Sequence, residues 1–211
     1  VESRVSISTF SELKSAIADF LNRDDLTAVV PTFVSLAEAQ INRDIRHIEM
    51  ENRATSTVST QYLVRPSDWV ETIRLQVTSG GTRNLQLLSK AAMADKRQGA
   101  ENATGEPKYY CHSENTYEFF PTPDGLYTIE SLYYQKIPAL SDANTSNWLL
   151  ASHPDVYLYG SLLHSAPYLA EDQRVGVWAQ LYSAATQRVN QSSDDAQWSG
   201  TGLTMKIRGL G

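Results

Sequence analysis

Apolar residues in this chain change their spacing twice, and that change limits the fold more than any single motif. Near both ends they recur at three and four, the repeat of a helix; in the middle they recur at two, the repeat of a strand. Thr9 and Glu12 have the spacing of a capping box, and Leu13, Ile17 and Phe20 follow on one helical face up to Asn22. A polar break at Asn22 to Asp25 precedes a second helix with Pro31 in its first turn, where a missing N–H costs little. Its stripe is Phe33, Ala37, Ile41, Ile45 and Ile48, and the opposite face carries Glu38, Asn42, Arg43 and Arg46.

From Ala54 onward Thr, Ser and Val alternate, which favours strand. A turn at Val64 to Trp69 leads into Ile73, Leu75 and Val77 at period two. Ser79-Gly80-Gly81-Thr82 is a hairpin signal, with a return strand at Leu85 to Leu88. Ser89 to Arg97 has the composition of a short helix, and Gln98 to Pro107 that of a polar loop. Lys108 to Ser113, Thr116 to Phe120 and Tyr127 to Tyr134 read as three more strands, parted by Glu114-Asn115 and by Pro121 to Gly125. Together they predict one small antiparallel sheet.

Helical spacing returns after Trp148. Ser152 is the expected N-cap of a helix with Pro154 in its first turn and Val156, Tyr159, Leu163 and Ala166 on one face, kinked or ended by Pro167. A further helix carries Val175, Trp178, Tyr182, Ala185 and Val189, and the two form an αα-hairpin. Each helical pair alone leaves an apolar stripe uncovered, so the pairs are expected to pack together. The reading is α+β: a discontinuous helical bundle of two N-terminal and two C-terminal helices (1–52 and 138–191), an inserted antiparallel β domain (53–137), and an extended C-terminal tail (192–211). In that tail Leu203, Met205 and Ile207 alternate with Thr204 and Lys206. A lone strand is not stable in water, so the tail is expected to be mobile alone and to order on a partner.

A hydrophobic content of 41% supports a packed core, and a net charge of −6 disfavours wrapping DNA, since phosphate contacts need Lys and Arg. The single Cys111 excludes an internal disulfide and points to a reducing compartment. No run is long enough to span a membrane. The start, VESRVSISTF, lacks a signal peptide's apolar core, and without an initiator Met the numbering is expected to begin after processing or trimming.

The candidates for chemistry each have a plainer reading. His47, His112, His153 and His164 lack metal-ligand spacing. His164-Ser165 beside Asp155 has the residue types of a hydrolase triad, but no nucleophile elbow surrounds the serine. Cys111 reads as a buried inert thiol. Gly80-Gly81 lacks the Lys and helix of a phosphate loop, Asp124-Gly125 is a turn, and Glu171-Asp172 suit a helix start. Tyr109, Tyr110, Tyr117, Tyr127, Tyr133 and Tyr134 make a Tyr-rich sheet, which can stack on single-stranded nucleic acid but also fills cores. No catalytic, cofactor-binding or metal residues are therefore assigned, and no cofactor is expected.

Several phrases, in order, resemble the head-to-tail adaptor (connector or head-completion) proteins of short-tailed bacteriophages. They are FSELKSAIADFLNRDDL from Phe10, PTFVSLAEAQINRDIR from Pro31, LVRPSDWVE from Leu63, GEPKYY, FFPTPDG, the block from Tyr133 through Leu169, and APYLAEDQRVGVWAQLY to Tyr182. The match weakens between Leu88 and Ala103. The resemblance implies a structural virion protein at the head–tail junction, assembled in the host cytoplasm into a ring, usually a dodecamer. Its implied partners are further copies of itself, the portal protein and a tail or nozzle protein, with double-stranded DNA only as transient cargo. It further implies that the tail grips the portal, with Trp198, Leu203, Met205, Ile207 and Arg208 as the contact residues. A nucleic-acid module using the Tyr-rich sheet and a hydrolase using His153 or His164 are the alternatives. The β insertion is expected on an outer or tail-facing surface.

Overall fold

The computed structural model describes residues 7–100, 103–169 and 174–198. In chain order the regular elements begin with α1 (Phe10–Leu21), α2 (Val30–Asp44), β1 (Glu51–Val58), β2 (Tyr62–Val64), β3 (Trp69–Val77), β4 (Arg83–Asn84) and β5 (Gln86–Leu87). They continue with α3 (Lys90–Gly99), β6 (Tyr109–Ser113), β7 (Thr116–Phe120), β8 (Tyr127–Gln135), α4 (Trp148–Ser152), α5 (Pro154–Leu169) and α6 (Val175–Trp198). The chain is α+β and falls into a helical unit, Val1–Glu49 with Ile137–Gly211, and a β unit, Met50–Lys136.

α1 begins at the expected capping box. Thr9 Oγ1 accepts from the Glu12 N–H at 3.3 Å, and the Glu12 carboxylate accepts from the N–H of Thr9 at 2.9 Å and of Ser8 at 2.8 Å. These bonds, that from the Ser8 amide first, hold the Glu12 carboxyl below its ordinary range. The helix stops at Asn22, whose φ of 52° lets its N–H reach the carbonyls of Ala18 and Asp19. Phe20 does not join the core: it stands 49% exposed in the last turn, and Leu21 takes the buried place. α2 buries Val30, Phe33, Val34, Ala37 and Ile41, followed by Ile45.

Asn147, not Ser152, supplies the cap at the return to helix. Its Oδ1 accepts from the Leu150 N–H at 2.9 Å and starts α4, which Ser152 closes. α5 then begins directly at Pro154 and runs two residues past Pro167. The one-sided stripe expected for α5 is replaced by burial around most of the helix: Val156, Tyr157, Leu158, Gly160, Ser161, Leu162 and Ser165 are buried, while Tyr159, Leu163 and Ala166 are half-buried. α5 packs against α1, α2, α4 and α6, and a helix covered on several sides has no single apolar face. Small residues make this possible. A Cβ on Gly160 would lie 3.2 Å from the Tyr182 ring of α6 and 3.3 Å from Ala37 Cβ of α2. α6 buries Trp178, Tyr182, Ala185 and Val189 as the spacing predicts, with the Tyr182 hydroxyl donating to Asp44 at 3.0 Å.

The β unit has two sheets where one was expected. The first has the order β1-β8-β3-β4 and is antiparallel; the second has the order β2-β7-β6-β5, with β5 parallel to β6. The predicted return strand is in fact two. After the Gly80-Gly81 turn, with φ of 72° and 120°, the chain pairs briefly with β3 and then changes sheets at Leu85. The Leu85 N–H donates to Leu75 C=O at 2.8 Å, and the next N–H, of Gln86, donates to Lys108 C=O at 3.0 Å. The two sheets share one core of Val58, Leu75, Val77, Leu85, Tyr110, Tyr117, Phe119 and Ile129. On the far side of the second sheet α3, capped by Ser89, sets Met93 against Cys111 and Phe120. Ala103 and Gly105 are tied to Thr122, whose N–H donates to Ala103 C=O at 3.0 Å and whose C=O accepts from Gly105 N–H at 2.9 Å.

Gly160 marks a close helix crossing, so Gly160→Leu is expected to overpack it and cost roughly 1–3 kcal/mol. Urea unfolding followed by circular dichroism checks this; an unchanged midpoint would show that the crossing has slack.

Candidate assembly surfaces

Of the predicted contact residues, Trp198 is the last residue of α6 and Leu203, Met205, Ile207 and Arg208 lie outside the described residues. The expected start of the extended tail at Ser192 is corrected: Ser192 to Trp198 are helical. The apolar spacing stops at Val189, but Ser193 takes the next place on the buried face, 2% exposed. A serine there carries no hydrophobic signal, so the apolar period ends before the helix does.

The last turns of α6 act on backbone. Asn190 Oδ1 accepts from the Arg46 N–H at 3.0 Å, and its Nδ2 donates to Asp44 C=O at 3.0 Å. Ser193 Oγ accepts from the Ile48 N–H at 3.0 Å. The intervening His47 ring stacks on Trp148 at 4.9 Å, with Ser192 Oγ 3.4 Å from its Nε2. The limb that returns to the helical unit is held from α2: Asn42 Oδ1 accepts from Ile137 N–H at 2.9 Å and Glu38 Oε1 from Leu140 N–H at 2.7 Å.

α6 also has a second apolar stripe that its core spacing hides. Val177 and Leu181, 56% and 39% exposed, lie about a quarter-turn from the Trp178 face. In the β unit, Tyr62 and Val64 of the edge strand β2 are exposed, and β1 presents Thr55, Ser56 and Thr57 along the edge not paired to β8. The cavity between these edge strands, lined by Ala54, Ser56, Leu63, Val64, Tyr117 and Ile129, is about 140 Å³. That is below the size of ordinary small-molecule sites.

The groups weighed for chemistry are scattered. Ser165 is fully buried and its hydroxyl donates to Leu162 C=O at 2.7 Å, while His164 Nε2 contacts Gln40 Oε1 at 2.8 Å; no nucleophile–base pair forms there. Burial, aided by Glu118, pushes the Cys111 thiol to about 11, far from the reactive thiolate range. Among the described residues no three His, Cys, Asp or Glu side chains cluster as a metal site, and no helix is long and apolar enough to cross a membrane. Of the six tyrosines of the Tyr-rich strands, three are half-buried, Tyr109, Tyr127 and Tyr134, and three fill the interior. Tyr110, Tyr117 and Tyr133 are buried, and the Tyr117 hydroxyl lies 2.9 Å from Thr72 Oγ1 inside the core. Of the chain's 24 acidic and 18 basic residues, 14 and nine belong to the helical unit, which therefore carries −5 of the net −6.

The chain thus has two units, with exposed apolar side chains on α6 and on the edge strand β2. The family model of the SU10 adaptor protein matches residues 8–205, and the chain belongs to that family of phage head–tail adaptors. No curated protein matches it. The match takes in Trp198, Leu203 and Met205 and stops short of Ile207 and Arg208.

Three half-buried imidazoles set a pH dependence. His47, His112 and His164 all have lowered pKa values, burial being the largest cause; His153, Arg65 and Arg43 respectively add to it. The unfolded chain then takes up protons first, so stability is full above the ordinary value of 6.5 and falls as pH drops through the lower folded values. Glu38, raised by burial, works in the opposite sense nearer the carboxylate range. Tm measured by calorimetry is expected to be lower at about pH 5.5 than at about pH 7.5, with a shallower slope in His112→Phe. A Tm that rises on acidification over that range would contradict the assignment.

Proposed function

We propose that copies of this chain close into a ring, a dodecamer, that joins the capsid portal to the tail and gives the genome a passage. The observation that carries this reading is the family match, which runs through both helical segments and the insertion between them. The exposed stripe of Val177 and Leu181 supports it, because a ring needs a heterologous contact between two different surfaces of one chain. The segment after α6 is the portal grip in this reading, with Trp198, Leu203, Met205, Ile207 and Arg208 making the contact. The protein is then a virion component, assembled in the host cytoplasm, that meets the portal above and a tail or nozzle protein below.

Native mass measurement with and without the cognate portal protein tests the ring. The free chain is expected to be monomeric or mixed, and to form twelve-membered rings on the portal. A chain lacking Trp198 to Gly211 is expected to keep its helical content and lose the portal. A tight two-fold dimer under all conditions, or a truncated chain that still docks, contradicts the proposal.

The acidic excess of the helical unit argues for a passage that does not hold what it conducts. Fluorescence anisotropy with a short DNA duplex near physiological salt is expected to show negligible binding. Submicromolar, salt-sensitive affinity would overturn the conduit reading and favour a nucleic-acid module.

A further inference from the structure

The end of α6 does two things at once: it satisfies the backbone of the limb leaving α2, and it leads directly into the segment read above as the portal grip. Between α2 and the β unit the chain passes through Ile45, Arg46, His47 and Ile48. Ile45 is fully buried and extended, with φ of −105° and ψ of 135°. The groups flanking it, Asp44 C=O and Arg46 N–H, are the pair that a neighbouring strand would engage. The Asn190 amide takes that place, accepting from one and donating to the other. Ser193 repeats the acceptor role two residues further on, at Ile48. Three hydrogen bonds thus join the penultimate turns of α6 to a limb about 145 residues earlier in the chain.

We infer that this is a latch whose closure depends on the order of the α6 terminus. Helix ends fray, because their final carbonyls lack partners. Fraying past Val189 withdraws Asn190, Ser192 and Ser193 and releases the Arg46 and Ile48 amides. Docking of the segment after Trp198 suppresses fraying and closes the latch. The occupancy of the grip is thereby felt where the chain departs for the β unit, and the coupling is reciprocal: a closed latch favours docking. The inference rests on the grip reading only for what orders the helix end; the latch itself stands on the hydrogen bonds.

Hydrogen exchange of the full-length chain, alone and with the cognate portal protein, separates the two. In the free protein Asn190→Ala with Ser193→Ala is expected to speed exchange at Arg46 and Ile48 and tryptic cutting after Arg46 by about tenfold, as lost hydrogen bonds would. Asn190→Asp, which keeps the acceptor and loses the donor, should fall between. Unchanged protection in α1 and α5 shows that the variants remain folded. Portal binding is expected to slow the Arg46 and Ile48 amides in the parent chain and to do so less in the double variant. Unaltered exchange at these amides in the double variant overturns the latch. Docking that leaves them unchanged in the parent overturns the coupling while sparing the grip. Failure of the parent to dock overturns the grip and the coupling together, and leaves the variant comparison to judge the latch.

Discussion

The helical unit depends on the burial of α5 among helices drawn from both ends of the chain. Neither the N-terminal pair nor the C-terminal pair covers its own apolar face. α5 supplies the missing surface to α1 and α2 on one side and to α6 on another, and Gly160 permits the approach of Ala37 and Tyr182. Close packing of this kind tolerates little change in volume, since interiors are packed to crystal-like density. The same arrangement allows an 87-residue β unit, Met50–Lys136, to leave and return without interrupting the helical core.

An insertion needs defined points of departure and return, and here both are held by side chains acting on backbone. Asn190 and Ser193 hold the outgoing limb; Asn42 and Glu38 hold the returning one. Burial raises the Glu38 carboxyl, while its bond from the Leu140 N–H works the other way. The β unit has its own core between two sheets and a third layer under α3, where Arg97 of α3 pairs at 2.8 Å with Glu118 of the second sheet. Each unit is thus built to keep its own shape, a useful property for an adaptor that repeats within a larger assembly.

Much of this was legible because local rules and tertiary structure agree. The capping box at Thr9, the Gly80-Gly81 turn, the Glu114-Asn115 hairpin and the α6 stripe all appear where spacing puts them. The misses have two physical causes: packed polar or small residues leave no apolar period, and apolar runs do not say which of their residues face the core. In α5 the expected stripe of Tyr159, Leu163 and Ala166 is only half-buried, while Tyr157, Leu158 and Leu162, together with Gly160, Ser161 and Ser165, take the buried places around the helix. α6 looked seven residues shorter because Asn190, Ser192 and Ser193 spend their polarity on a distant limb. The β unit looked like one sheet because the change at Leu85 happens within a single apolar run, invisible to a period of two. The second stripe on α6, Val177 and Leu181, runs one residue out of phase with the longer Trp178 stripe, which masks it in the sequence.

The central claim is that two distant chain segments form one cooperative helical unit around α5. Native-state hydrogen exchange across a denaturant series tests it most directly. The account predicts that the slowest amides of α1, α2, α5 and α6 converge on one opening free energy with one denaturant slope. Opening of α1 and α2 at a lower free energy, while α5 and α6 stay protected, would contradict it.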